Sequence, residues 1–296
     1  MIATLPRVLL WAAAAHGLVA ILCVVALAFE VPLVMGVHPA LKPLKFAVSI
    51  ALFLVTMGVL LPSLSVREAS RAVMAWLLAA TMTIEMGGIL AQALRGRTSH
   101  FNSGDLLDAT IWNAMVAAIV VATVVMIWLA LASLLGPLVD SAGQALPPLL
   151  ATAWRAGLLL LLLAPVSGFA MGGRLAHSVG GEDGGAGLPL LNWSVSHGDL
   201  RVAHFFALHA VQVLPLSAWL LLQVPLVSGA RATLLFVAIG VASTLSLGTL
   251  LQALAGRPVW RNRRASPPVI ESREVAPEAA PSRSRGTRDV ARSESS

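Results

Sequence analysis

Charge is scarce in this 296-residue chain: Asp, Glu, Lys and Arg make up 11% of it, against roughly 25% in an ordinary soluble domain. Hydrophobic residues reach 57%, which excludes a water-soluble globule. Cysteine is nearly absent. The single Cys23 lies in an apolar stretch, so no intramolecular disulfide can form and the redox compartment stays undetermined; the residue reads as small apolar filling. Lysine is limited to Lys42 and Lys45, beside eighteen arginines. No Cys-x-x-Cys, His-Glu-x-x-His, Walker loop or nucleophile elbow occurs, so no familiar motif announces an enzyme. Nucleic acid is not expected as a partner, because no aromatic-interleaved basic fold accompanies the positive charge.

What is present is long apolar sequence. Seven stretches, roughly 8–29, 46–64, 72–94, 110–135, 151–171, 202–225 and 232–255, each suffice to cross a ~30 Å hydrocarbon core. They are too long and too continuously apolar for barrel strands. The expected fold is therefore all-α, a polytopic transmembrane bundle of seven spans with the lipid bilayer as its surroundings. The first stretch exceeds a signal-peptide h-region and lacks a small-x-small cleavage site, so it reads as a retained helix. Trp11, Trp112 and Trp154 fall near span ends, where indoles anchor to the interface. From Pro258 onward Arg, Ser, Pro and Glu dominate, which predicts a disordered basic tail over 258–296.

The chain also echoes itself. Gly88-Ile-Leu-Ala-Gln92-Ala-Leu-Arg-Gly96-Arg97 returns as Gly248-Thr-Leu-Leu-Gln252-Ala-Leu-Ala-Gly256-Arg257, seven of ten positions being identical. His38-x-x-Leu41-Lys42-x-x-Lys45-Phe46 returns as His197-x-x-Leu200-Arg201-x-x-His204-Phe205, and Arg71-Ala72 as Arg231-Ala232. Span 2 thus matches span 6 and span 3 matches span 7, each pair crossing in the same direction, which predicts a parallel duplication. The expected organisation is a three-helix unit over 1–109, a linker helix within 110–147, and a second three-helix unit over 148–257. Parallel repeats of this kind occur in transporters that hold substrate between the units.

The 3+1+3 layout resembles that of SWEET-type sugar carriers at the level of architecture. Their relatives' proline-glutamine signature is missing from both halves, so sugar specificity does not carry over. Three stretches are similar to a family of uncharacterised bacterial multi-pass membrane proteins: Lys42-Pro-Leu-Lys45-Phe46, Arg95-Gly-Arg97-Thr-Ser-His100-Phe-Asn102, and Gly198-Asp199-Leu-Arg201-Val-Ala-His204-Phe205 with His209 and Gln212. That resemblance implies no activity.

Basic residues set the expected orientation. Lys42, Lys45, Arg95, Arg97, Arg174, Arg201, Arg257, Arg261, Arg263 and Arg264 lie on the side of the tail, and only Arg7, Arg67, Arg71, Arg155 and Arg231 on the other. This predicts an N-terminus outside and a C-terminus in the cytoplasm, in the cytoplasmic (inner) membrane.

Few residues in such a chain can carry chemistry. Glu85 is the one acid deep within a span, where an ionisable group is costly and is functional or paired. It reads either as a coupling-proton site or cation ligand, or as a hydrogen bond to a neighbouring helix. Gln92 lies two turns on, with Gly88 between them, and Gln252 is its echo; together they would line a path. Lys42 and Lys45, with their echoes Arg201 and His204, would form a basic mouth able to hold a carboxylate or phosphate, or else simple interfacial charges. His16, His204 and His209 lie within spans, and with His100 and Asp199 they are the candidate ligands of a metal or haem. His204 and His209 sit five residues apart, about 140° around a helix, so they cannot chelate one ion from one face.

Two loops stand out. The segment from Arg95 to Asp108 is dense in Arg, His, Asn and Asp, and reads as a binding or gating loop or a solvated connector. Gly180-Gly181-Glu182-Asp183-Gly184-Gly185 reads as a lid or an unconstrained insertion. The leading expectation is a carrier or permease for a small anionic solute. Its rivals are a membrane enzyme or redox protein using a metal or haem, and a sensor or assembly partner without chemistry. A retinal-type protein is excluded because span 7 holds no lysine. The cofactor, catalytic residues and oligomeric state are left open.

Overall fold

The computed structural model of the chain describes residues 6–34 and 36–260. Seven helical spans run through them: α1 (Arg7–Ala26), α2 (Leu41–Leu60, prolonged by a 3-10 turn to Ser63), α3 (Glu68–Leu94), α4 (Leu106–Leu135), α5 (Pro148–Leu161) with α6 (Leu163–Arg174), α7 (Leu200–Gln223), and α8 (Ser228–Ser243) with α9 (Thr249–Leu254). The protein is an all-α, multi-pass membrane bundle. Its outer wall is apolar, with Ile21, Val24, Phe236 and Val237 all more than half exposed, as a surface solvated by lipid requires. The predicted tail lies outside the described residues from Arg261 onward, as do three of the basic residues used for orientation, Arg261, Arg263 and Arg264.

The helices begin earlier than the apolar stretches do. α2 starts at Leu41 and α7 at Leu200, so Lys42, Lys45, Arg201 and His204 stand in the first turns of their helices rather than in loops. Asp105 explains the start of α4: its side chain accepts the main-chain N–H of Asp108 at 2.8 Å, satisfying one of the donors a helix N-terminus leaves free. Arg155 from α5 closes the other end of α4, donating Nε to the Ser133 carbonyl at 2.8 Å and Nη2 to that of Gly136 at 3.2 Å. Trp154 departs from the anchor role expected of it. It is 5% exposed and packs in the core with Leu158 and Val211, because α5 turns that face inward.

Spans 5 and 7 are interrupted, whereas the others, span 6 included, are continuous. Span 5 breaks at Leu162, three residues before Pro165, whose missing N–H and ring crowd the preceding turn. Pro215 lies inside α7, and a π-turn over Thr244–Gly248 separates α8 from α9. α5 and α7 nevertheless meet closely. A Cβ at Gly157 would stand 2.8 Å from Val211 Cα and 3.1 Å from the Ala210 carbonyl, so only glycine permits this crossing.

The two echoed segments end their helices alike. Arg97 N donates to Gln92 O at 2.9 Å and Gly96 N to Ala93 O at 3.1 Å; Arg257 N donates to Gln252 O at 3.1 Å and Gly256 N to Ala253 O at 2.9 Å. Gly96 and Gly256 have φ of 65° and 70°. Both ends are Schellman caps, in which a left-handed glycine turns the chain so that carbonyls of the last turn find donors.

The chain direction gathers the loops after α1, α3 and α6, with the end of α9, at one face of the bundle. Between α6 and α7 a short antiparallel hairpin pairs β1 (Ser178–Val179) with β2 (Gly198–Asp199). Its base packs beside Met171, Leu200 and Ala253. All four non-glycine residues with positive φ among the described residues, Phe101, Leu175, Leu190 and Asn192, lie on this face. Backbone strain of this kind concentrates where a site must be held in shape.

The Gly157 crossing gives a test of packing. Gly157→Ala should lower stability by about 1–3 kcal/mol, because the neighbour is backbone and cannot give way. Gly240→Ala has no atom within 4 Å of the new methyl and should gain up to about 1 kcal/mol from helix propensity. Thermal unfolding in detergent reads both; equal effects would show that the crossing is not tight.

Candidate functional site

Glu85 lies nine residues before the end of α3, about 14 Å below that face at ~1.5 Å per residue. It is 4% exposed. His100, in the loop after α3, reaches in toward it, with Nε2 3.3 Å from Glu85 Oε1. On its other side His100 Nδ1 is 3.3 Å from Lys42 Nζ. An ammonium only donates and a carboxylate only accepts, so the ring must accept at Nδ1 and donate at Nε2. The result is a directional string, Lys42 to His100 to Glu85, drawn from α2, the α3–α4 loop and α3. Burial, followed by the Lys42 charge and the neighbouring His177 and His204, holds His100 well below its ordinary pKa. It is neutral at physiological pH, as that string requires. Glu85 Oε2 is buried without a hydrogen-bond partner among the described residues.

An aromatic wall fixes His100. Its ring lies 5.8 Å from Phe46, 5.4 Å from Trp112 and 6.0 Å from Phe101. Trp112 therefore serves the site as well as the interface. Phe101, at φ 57°, also lies 5.0 Å from the ring of His177 and so joins the α3–α4 loop to the α6–α7 loop.

Lys45 follows Lys42 by three residues in the first turns of α2, and Arg201 stands in the first turn of α7. Lys45 Nζ donates to the Leu190 carbonyl at 3.1 Å and lies 3.5 Å from that of Leu191. Arg201 is held by Asp199, with Nε to Oδ1 at 2.9 Å and Nη2 to Oδ2 at 2.6 Å, and it also donates to the Asn192 carbonyl at 2.5 Å. Three successive carbonyls of the strained turn 190–192 thus latch onto two cations. The expected basic mouth of Lys42, Lys45, Arg201 and His204 is partly assembled in this way. His204 turns aside: its Nδ1 donates to the Ala164 carbonyl at 2.9 Å, beside Ser167 Oγ at 3.2 Å, at the break in span 5.

The glycine-rich segment is anchored rather than unconstrained. Asp183 accepts from His177 N, Ser178 N and His177 Nδ1 at 2.8, 2.8 and 2.7 Å. Burial opposes its ionisation, but the hydrogen bonds from His177 and Ser178 outweigh that and hold the carboxyl well below the usual carboxylate range. His177 itself is pushed down by burial, with Asp183 opposing. Neither residue was a candidate from sequence; a histidine six positions from an acid in a glycine-rich loop carries no recognisable spacing.

Other candidates go elsewhere. Gln92 and Gln252 do not form a paired lining. Gln92 donates to Asp108 Oδ1 at 2.9 Å and accepts from Arg95 at 2.8 Å, whereas Gln252 donates to the Pro258 carbonyl at 2.7 Å. Asp108, 1% exposed, collects Gln92, Arg95 and Arg97, and Asp105 bonds both arginines. The Asp108 main-chain N–H, then Arg97, hold the Asp105 carboxyl below its ordinary range. The Arg95–Asp108 segment is consequently an ion-paired cap over α3 and α4. Gly88 lets these two helices close, a Cβ there falling 2.7 Å from Met115 Cγ.

Of the proposed metal or haem ligands, His16 bonds the Ala12 carbonyl at 2.7 Å, with Met82 O at 3.4 Å, and His209 bonds Gln212 Oε1 at 2.6 Å. His100 serves Glu85 and Lys42, Asp199 serves Arg201, and His204 serves Ala164. Among the described residues no three His, Cys, Asp or Glu side chains converge to hold a metal ion.

Asp183 supplies a pH test. Because its folded pKa is depressed, its contribution to loop order is complete above roughly pH 4, its unfolded value, and is lost as pH falls further. The 175–199 loop of the native chain should resist proteolysis from about pH 5 to 8, while Asp183→Asn should be cut throughout that range; equal cleavage would remove Asp183 from loop ordering. No protein-family model, curated protein or solved structure matches this chain.

Proposed function

We propose that this protein is a membrane carrier for a small anionic solute, with a proton as its coupling ion. The observation that carries the reading is the directional string Lys42–His100–Glu85 beneath a turn latched to Lys45 and Arg201. Neutral carbonyls are weak acceptors for these two cations. A carboxylate or phosphate offers charge-assisted hydrogen bonds about twice as strong, so an arriving anion would draw Lys45 and Arg201 off Leu190 and Asn192 and free the turn. The anion would also keep the proton on Lys42. Once it leaves, Lys42 gives a proton to His100 Nδ1 as His100 Nε2–H passes one to Glu85, leaving a neutral amine and a neutral acid.

Broken helices near a site are a recurrent transporter device, and spans 5 and 7 are broken. The matching Schellman ends of α3 and α9 fit a duplicated frame, in which Leu245 holds the position equivalent to Glu85 and leaves that acid without a counterpart. By the charge bias of the loops, the site's face would be cytoplasmic and the N-terminus outside, in the inner membrane.

The test is uptake into proteoliposomes of a panel of mono- and dicarboxylates and inorganic phosphate, with and without a pH gradient. Uptake of at least one anion should follow the gradient in the native chain. Glu85→Gln should keep exchange but lose the pH dependence, and Lys45→Met should raise the half-saturating concentration roughly five- to tenfold, as loss of one charge-assisted bond implies. Failure of every anion to enter overturns the carrier; pH dependence unchanged in Glu85→Gln overturns the relay.

A further inference from the structure

From the membrane side opposite this site, a groove of about 590 Å³ runs inward between α1 and α3. Ala12, Ala79 and Ala80 form its floor, and Trp11 and Trp76 its rims, 75% and 66% exposed. Arg7, the first residue of α1, stands at its mouth, and no acidic residue lines it. The hydroxyl of Thr83 is already donated to the Ala79 carbonyl at 2.7 Å, so the wall below Arg7 offers no free donor. From Trp76 to Ile84 the groove descends eight residues of α3, about 12 Å at ~1.5 Å per residue.

The geometry points to a bound anionic glycerophospholipid, its phosphate on Arg7 and one acyl chain lying along the alanine floor between the two indoles. Each part answers a part of that molecule. A guanidinium at the end of a span sits at headgroup depth and pairs with phosphate bidentately. Indoles favour the same interfacial level. Small residues leave an open apolar groove between the helices, and the surrounding medium supplies the ligand. A zwitterionic lipid fills the channel equally well but brings no net charge to Arg7, so the preference must lie in the headgroup. This site is independent of the carrier reading, since it shares no residue with it.

The test is native mass spectrometry of the full chain titrated with phosphatidylglycerol and with phosphatidylcholine of the same acyl chains. Tryptophan quenching by brominated chains runs in parallel. The native protein should hold one phosphatidylglycerol about fivefold more tightly than phosphatidylcholine, as one cation near the surface allows. Arg7→Gln, an exposed position, should abolish that preference while leaving brominated-chain quenching in place. Ala80→Phe should fill the channel and remove the bound lipid. Equal retention of both lipids by the native protein, a preference unaffected by Arg7→Gln, or a dimer cross-linked through Trp11 and Trp76 would each overturn the proposal.

Discussion

A carboxyl group some nine residues inside an apolar helix has to be satisfied from within the protein, because the lipid around it offers no donor. Glu85 meets that demand through His100, a residue of a loop rather than of a neighbouring span, and His100 in turn takes its proton donor from Lys42. Much of the site face follows from this chain of obligations. For the ring to reach down, the α3–α4 loop must fold inward, which Phe101 achieves at positive φ while its own ring lodges between Trp112 and His177. To hold the loop there, Arg95 and Arg97 are pinned to Asp105 and Asp108.

The second loop is governed by a comparable economy of charge. Asp199 is 1% exposed and would be untenable alone; Arg201 neutralises it and then extends a donor to Asn192. Lys45 closes on the same turn. Lys42, Lys45 and Arg201 thus outnumber Glu85 and Asp199 at the site, and part of that positive charge rests on neutral carbonyls. Such an arrangement is stable without a ligand and remains open to a better acceptor, a balance that fully paired ions would not give.

The two echoed segments are put to different use. They end in the same glycine cap, and the side chains of the glutamines in the turn before it diverge: Gln92 joins an ion-pair network, and Gln252 reaches only Pro258. The first four spans are continuous and enclose most of the buried core, whereas spans 5 and 7 are broken, before Pro165 and at the π-turn, and α7 carries Pro215 within an unbroken helix. Irregular backbone is tolerated within a membrane only where other protein groups satisfy it; Ala164 O, accepting from Ser167 and His204 beside the break, is one such place.

Sequence by itself determined the number of the spans, their approximate extent and the all-α class. These follow from transfer free energy along the chain, which needs no knowledge of neighbours. Tertiary structure alone decided who satisfies whom. His100 appeared in sequence as a metal ligand and proved to be the link between two other candidates; Gln92 appeared as a lining residue and is tied into a cap; Trp154 appeared as an anchor and is core. His177 gave no signal, and Asp183 stood out only as part of a glycine-rich segment. A hydrogen bond depends on distances of a few tenths of an ångström between segments tens of residues apart, and hydropathy, periodicity and spacing carry no record of those distances.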